Sequence, residues 1–321
     1  MFPIIGALIP VFALIALGIV LGRLGLLGAG ADEVLSRFVG LVTLPVLTFL
    51  AISGLKAEQL AQPVMATVVI AGAWLTFALQ LSVERLCGRP GPEANVLALS
   101  AAFGNSGFVG LPICLAILGK SALGPAALVM ALTTGFVFAP FILLQELTGS
   151  LGHSRSESIR TVSRALVGNP LILSCIAGIA AALGGVSLPA PVQVLLSSIA
   201  AATAPCALVA IGMFVARPVE QASDPGIWRG WGAKLALSPL MAAALLAVLP
   251  PLDRVWTATA LIMAAMPTAS SVFVIVAGDT ARRISASVIV RTTVGSVVTI
   301  PIVLAVLAYA GVLDLGPAPL H

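Results

Sequence analysis

Charge is the scarcest property of this chain: only 9% of its 321 residues are Asp, Glu, Lys or Arg, against 60% hydrophobic. A water-soluble domain carries roughly 25% charged residues, because water has to cover its surface. With so few charges the chain cannot build a polar exterior, and lipid must be its solvent. Both histidines, His153 and His321, lie outside the apolar runs. The four cysteines, Cys87, Cys114, Cys175 and Cys206, are scattered singly in or near apolar segments. No spacing resembles a metal site or a disulfide framework, so the reading is no metal and no cofactor. The formal charge of +4 comes without a basic patch interleaved with aromatics, which argues against a nucleic-acid partner. Met1 to Gly22 has no basic start, and its apolar run is long enough to span, so it reads as a membrane helix and not a cleavable signal.

What is present is a succession of apolar runs. A span needs about 20 mostly apolar residues to cross about 30 Å of hydrocarbon. Ten segments qualify, roughly 4–22, 35–54, 63–83, 94–118, 122–147, 166–184, 191–215, 232–250, 256–278 and 285–310. Short polar connections separate them, and the longest polar stretch, about Gly149 to Arg164, falls near the middle of the chain. Lys and Arg set the orientation. The odd-numbered connections and adjoining helix ends hold thirteen of them, Lys234 and Arg291 included, and the even-numbered ones only Lys56, Lys120 and Arg254. The odd loops are therefore expected in the cytoplasm of a bacterial inner-membrane protein, with both termini periplasmic.

Five helices on either side of a central loop suggest a duplication. An odd number per half forces the halves into opposite topology, which is the inverted-repeat plan of many secondary transporters. The expected architecture is all-α and integral to the membrane, with a first repeat over 1–148, a cytoplasmic linker over 149–165 and a second repeat over 166–321. Leu44-Pro45 followed by Ala51-Ile52-Ser53 in the second span has a weak echo in the seventh, Ala204-Pro205 followed by Ala210-Ile211-Gly212.

The fourth and ninth spans, which correspond in the two halves, carry poor helix formers at mid-span. The fourth holds Gly104-Asn-Ser-Gly-Phe-Val-Gly-Leu-Pro112, and the ninth Met266-Pro-Thr-Ala-Ser-Ser271. Gly costs about 1 kcal/mol and Pro about 3 relative to Ala in a helix, and freed backbone groups in hydrocarbon are tolerable only beside protein or a water-filled cavity. Proline favours a first helical turn, so Pro112 and Pro267 are expected to start two half-helices that cross at mid-membrane. Their positive dipole ends suit a carboxylate, with Asn105, Ser106, Thr268, Ser270 and Ser271 as neutral hydrogen-bonding partners.

Buried acids, the ion sites of sodium/proton antiporters, are missing: the middles of the ten spans show no Asp, Glu, Lys or His. Glu84, Glu146 and Asp279 sit near helix ends, where solvated or ion-paired roles are expected, and Arg291 is expected to snorkel. A proton relay of buried side chains is not expected. Gly104-Asn-Ser-Gly107 matches the Gly-x-Ser-Gly around the nucleophile of rhomboid-type intramembrane proteases. A serine nucleophile needs a base within reach, however, and neither histidine nor any Lys is expected at depth beside Ser106. The chain therefore reads as a transporter and not an enzyme. A charged ring or repeated filter motif, as in a channel, is also missing.

Asn105-Ser-Gly-Phe-Val-Gly-Leu-Pro112 resembles the Asn-(Ser/Thr)-x-x-x-Gly-x-Pro segment of the auxin efflux carrier family. Leu44-Pro45-Val-Leu-Thr48-Phe, Ile211-Gly-Met-Phe, and Met266-Pro267 followed by Thr292-Thr293 and Pro301 are similar to further family motifs, in order and spacing, over essentially the whole chain. The resemblance implies a scaffold and a transport domain, with the fourth and ninth helices crossing near Gly110, Pro112 and Pro267. It implies an organic-anion substrate (indole-acetate in plant members, dicarboxylates such as malate or malonate in bacterial ones) and a homodimer. It also places Asn105 against the substrate carboxylate beside Ser106 and Gly107, puts a helix-two hydroxyl at Thr48, and puts a helix-five polar position near Thr133. The expected partners are thus a small organic anion, the lipid bilayer and a second copy. The alternative reading is an ion-coupled carrier of a neutral or cationic solute on the same crossed-helix fold.

Overall fold

In the computed structural model, the chain is described over residues 2–142, 168–217, 224–276 and 278–313. The linker expected at 149–165, with Glu146, His153 and His321, lies outside the described residues. Helices account for nearly all of the rest: α1 Phe2–Leu24, α2 Ala31–Ser53, α3 Pro63–Leu86, α4 Gly91–Ala102, α5 Ser106–Leu118, α6 Lys120–Ile142, α7 Pro170–Leu183, α8 Ala190–Ala216, α9 Pro225–Val248, α10 Arg254–Ala264, α11 Ser271–Ile275 and α12 Asp279–Tyr309. Seven of the described helices, α1, α2, α3, α6, α8, α9 and α12, are long and apolar enough to cross a membrane. Large apolar side chains such as Leu17, Leu79, Leu195, Leu240 and Val298 point outward. Water would penalise that surface and hydrocarbon does not.

Four of the helical prolines are accommodated in a common way. Val39–Thr43, Ser106–Gly110, Thr134–Phe138 and Ala233–Leu237 are widened turns in which hydrogen bonds run five residues back instead of four. Each ends two residues before a proline: Pro45, Pro112, Pro140 and Pro239. Proline lacks an N–H, and its ring crowds the carbonyl four residues earlier. Widening the preceding turn relieves the crowding, and the residue before each proline (Leu44, Leu111, Ala139, Ser238) donates five back. The carbonyl of Phe136, freed by Pro140, accepts a 2.9 Å hydrogen bond from the Trp74 indole.

Neighbours in space come largely from opposite halves of the chain. α1 lies along α8 and α7 along α2, while α12 packs on α4, α10 on α6, and α3 on α9. Glycines permit the closest approaches. Gly18 meets the backbone of Val209 and Gly212, and Gly178 meets Ile52 and the Phe49 carbonyl.

One cluster of charges ties α3 to α9. Glu84 is fully buried and accepts from Gln80 (2.9 Å), Arg89 (2.8 Å) and both Nε (2.8 Å) and Nη2 (2.7 Å) of Arg229. Arg89 reaches on to Glu93 and, with two nitrogens, to Asp224. Asp224 also accepts the Gly226 amide as the cap of α9, ahead of Pro225. Separately, Arg217 at the end of α8 pairs with Asp32 in α2 at 2.6 Å.

The Arg89 guanidinium, helped by the Gly226 amide, holds the Asp224 carboxyl below its usual range despite partial burial. A depressed carboxylate contributes stability above its unfolded value, near pH 3.9, and loses it as pH falls through the folded value. The melting-temperature gap between the wild type and Asp224→Asn is therefore expected to hold between about pH 7 and pH 5 and to close below about pH 4.

Candidate functional site

The two segments expected from the sequence to be the fourth and ninth spans are both interrupted. Between α4 and α5 the chain leaves the helix at Phe103, Gly104 and Asn105, and between α10 and α11 it turns at Ala265 and Met266, runs non-helical through Pro267, Thr268 and Ala269, and turns again at Ser270. The two links lie antiparallel, with Gly104 opposite Thr268. Asn105 N–H donates to the Pro267 carbonyl at 2.7 Å, and Ala269 N–H to the Phe103 carbonyl at 3.1 Å. Each break thus satisfies backbone groups that the other frees, where an unpaired one costs several kcal/mol.

Pro112 and Pro267 play different parts from the matched pair expected. α5 begins at Ser106, six residues before Pro112, because Asn105 caps it: its Oδ1 accepts from Phe108 N–H at 3.2 Å. Pro267 lies within the link, four residues before the five-residue α11, and contributes a carbonyl acceptor. The single strong helix start at the junction belongs to α5. Gly110 faces Met263 and Met266 so closely that a Cβ would displace them.

Five of the residues singled out from the sequence, Asn105, Ser106, Gly107, Thr133 and Ser271, line one cavity of about 110 Å³ together with Leu44, Phe103 and Met130. Asn105 is only 4% exposed, and with Oδ1 committed to the cap its Nδ2 is buried without a partner. Ser106 turns its hydroxyl toward the Gly104 carbonyl at 3.4 Å, and Thr133 donates to the Val129 carbonyl at 2.9 Å. Thr48, Thr268 and Ser270 are not among the lining residues. Thr48 is buried and donates to Leu44 O at 2.8 Å. Thr268 serves the junction itself, with its hydroxyl on Ser100 O at 2.7 Å and its amide on Thr292 Oγ1 at 3.1 Å.

The expectation of no charge at mid-span is overturned by Lys234. It is 1% exposed, and its ammonium donates to Ser238 Oγ and to Ala264 O, both at 3.1 Å. A Cβ on Gly104 would lie 3.2 Å from its Nζ. Lys234 lines a cavity of about 40 Å³ together with Gly104, Ser106, Thr133 and Ser238, so a lysine does face the Ser106 region at depth. The reason is where α9 starts. Pro225, not residue 232, is its first residue, and nine residues at 1.5 Å each put Lys234 roughly 14 Å along the helix. Asp224-Pro225, a capping acid before a first-turn proline, was the available sequence signal. Arg291 lies over the Trp228 ring, 4.7 Å from its centroid.

A bundle of apolar helices, two of whose interrupted segments pair beside a small cavity, is the framework of an integral membrane protein. The chain matches the family described as membrane transport protein over residues 3–304, and it belongs to that family. It is 31% identical over 304 residues to the "Putative malonate transporter" of Rhizobium meliloti (strain 1021), covering 94% of both chains. It is also 28% identical over 301 residues to an "Uncharacterized transporter" of Methanothermobacter thermautotrophicus, covering 91% of this chain and 94% of that one. The chain is a transport protein and not an enzyme, as expected from the sequence.

Proposed function

We propose that this protein is a secondary transporter of small organic anions, carboxylates such as malonate, malate or auxin-like acids, working by elevator-type alternating access. The observation that carries the reading is the Asn105 amide. Its Nδ2 is a buried donor with no partner among the described residues, at the wall of a mainly apolar cavity that Ser106, Thr133, Thr134 and Ser271 also line, and at the positive start of α5. A buried donor left unmade costs about 1–3 kcal/mol, and a carboxylate oxygen is the acceptor that removes this cost and also suits a helix start. The malonate named for the Rhizobium relative is a molecule of this kind. A cationic solute is a poorer fit, because the free group at the wall of the cavity is a hydrogen-bond donor at a positive helix start.

The cross-half pairings of α1 with α8 and α7 with α2, and of α4 with α12 and α10 with α6, support two inverted repeats over 1–148 and 166–321. On that reading α4–α5 and α10–α11 are the crossed fourth and ninth helices, both termini are periplasmic in a bacterial inner membrane, and two copies associate. A cavity of about 680 Å³ between α2, α5, α6 and α8, with Lys120 on its wall and Pro112 at its depth, suits the outer vestibule of such a carrier. Leu44 and Leu47, neighbours one turn apart on α2, line the small cavity and the large one respectively.

The test is thermal stability of the purified protein against mono- and dicarboxylates. A ligand present at 100 times its Kd adds about 2.7 kcal/mol to the folded state. Asn105→Ser keeps a capping oxygen and removes the Nδ2 donor. It is expected to melt like the wild type without ligand and to lose roughly ten- to a hundredfold in carboxylate affinity, the worth of a hydrogen bond to a charge. An unchanged affinity in Asn105→Ser would remove the proposed site.

A further inference from the structure

We propose that Lys234 is a proton-binding group whose protonation is linked to occupancy of the neighbouring anion cavity, so that each anion is carried together with a proton. The inference rests on the anion reading above and adds to it the coupling ion, which that reading leaves open.

The Lys234 ammonium is enclosed by backbone and hydroxyl oxygens. Its three N–H groups have Ser238 Oγ and Ala264 O as acceptors, and the Ser238 hydroxyl donates to the same carbonyl at 3.1 Å. Ala264 closes α10, and Gly104, two residues past the end of α4, lies against Nζ. Lys234 therefore sits where the C-terminal, negative ends of two interrupted helices converge. Those partial charges favour a cation there but do not neutralise one.

Among the described residues no carboxylate does so either. The elements packed against the widened turn Ala233–Leu237 and its ammonium are the rest of α9, with α3, α4, α10 and α12. Their charged groups are Glu84, Arg85, Glu93, Arg229, Arg254, Asp279, Arg282, Arg283 and Arg291, of which Arg254 is exposed at the start of α10. Glu84 and Glu93 are held by Arg89 and Arg229, Arg282 donates to the Val276 carbonyl, and Arg291 lies on Trp228. Asp279 is exposed at the start of α12, and Arg85 is also exposed. Among the described residues no acid lines the cavity beside Lys234.

A buried ammonium without a counter-ion is disfavoured. An anion alters that balance. Gly104, Ser106 and Thr133 line both the 40 Å³ cavity at Lys234 and the 110 Å³ cavity at Asn105, so the two are separated by a single layer of residues. A carboxylate in the larger one faces the amine across that layer. The amine then takes up a proton from solvent and becomes the counter-ion, and when the anion leaves the proton is released. By linkage, protonation strengthens anion binding by the same factor that the anion strengthens protonation. The loaded protein thus carries one negative charge fewer than the anion brings.

The experiment is titration calorimetry of the purified full chain with malonate, in two buffers of different ionisation enthalpy, at several pH values well above the carboxylate range. The wild type is expected to take up a fraction of a proton, up to one, per malonate bound, with affinity falling as pH rises. Lys234→Arg, charged at every pH used, should bind with a flat pH profile and no proton uptake. Lys234→Met should bind at least tenfold more weakly, also without uptake. Malonate binding with no proton exchange in the wild type, or uptake that persists in Lys234→Arg, overturns the inference and leaves the anion reading standing. Absence of binding by any carboxylate in the wild type overturns both.

Discussion

Valine at Gly212 is expected to abolish accumulation of folded protein. Gly212 and Gly18 face each other where α8 and α1 cross, and a Cβ on either runs into backbone of the other helix: the Ile15 carbonyl for Gly212, the Val209 carbonyl for Gly18. Four residues further along, Gly22 meets Ala216 and Met213 in the same way. In lipid there is no hydrophobic force between helices, and close packing of small residues supplies the association. A side chain pressed against a flexible neighbour costs about 1–3 kcal/mol, but a carbonyl in a helix cannot rotate away. The two helices must separate along their whole contact, so the loss should exceed that range. The measurement is the monodisperse fraction after detergent extraction for Gly212→Val and Gly18→Val. Gly40→Ala is the control, because nothing lies within 4 Å of a Cβ there, and it should extract like the wild type.

Removing the carboxylate of Glu84 is the second large effect. Four donors converge on its two oxygens, three of them from Arg89 and Arg229. Glu84→Ala leaves those guanidinium groups facing each other in a partly buried site. Breaking one side of a buried pair costs about 3–5 kcal/mol, whereas replacing both sides by apolar groups is often near neutral. Glu84→Met with Arg229→Met is therefore expected to melt above Glu84→Ala, although it carries one more substitution. The cost should be incompletely recovered, because Arg89 keeps only Glu93 and Asp224. Equal melting temperatures for the two variants would mean that the charges contribute little beyond side-chain packing.

The interruptions in the fourth and ninth spans were legible in the sequence because glycine, asparagine and proline penalise a helix wherever they stand. Of the eight residues expected at the substrate, Asn105, Ser106, Gly107, Thr133 and Ser271 line one cavity and Thr48, Thr268 and Ser270 do not; Thr133 came from the resemblance and not from any local pattern. The link geometry was not legible. Proline at a first turn and proline in an extended link satisfy the same torsional restriction, so Pro112 and Pro267 read alike and differ in place. The widened turns were missed because a proline signals a lost hydrogen bond without saying how the helix absorbs it. Lys234 was hidden by a boundary. Trp231-Gly-Ala-Lys234 reads as the polar edge of a span if the helix starts at 232, and as its interior if Asp224 and Pro225 start it. A shift of seven residues, two helical turns, separates a loop charge from a buried one.

The pairing of helices across the two halves bears on how the protein is made. When synthesis has reached the middle of the chain, Gly18 in α1 faces lipid instead of α8, Glu84 has Arg89 but not Arg229, and Asn105 has no Pro267 carbonyl to receive its amide proton. The leading half can insert into the bilayer but cannot complete its structure, so it must wait there for the trailing half to emerge. A ribosome pausing in the central connection would leave an intermediate with an unsatisfied broken helix in the membrane, a natural substrate for quality-control proteases. The same dependence predicts that the two halves, made as separate polypeptides in one cell, protect each other from degradation, and that neither accumulates alone.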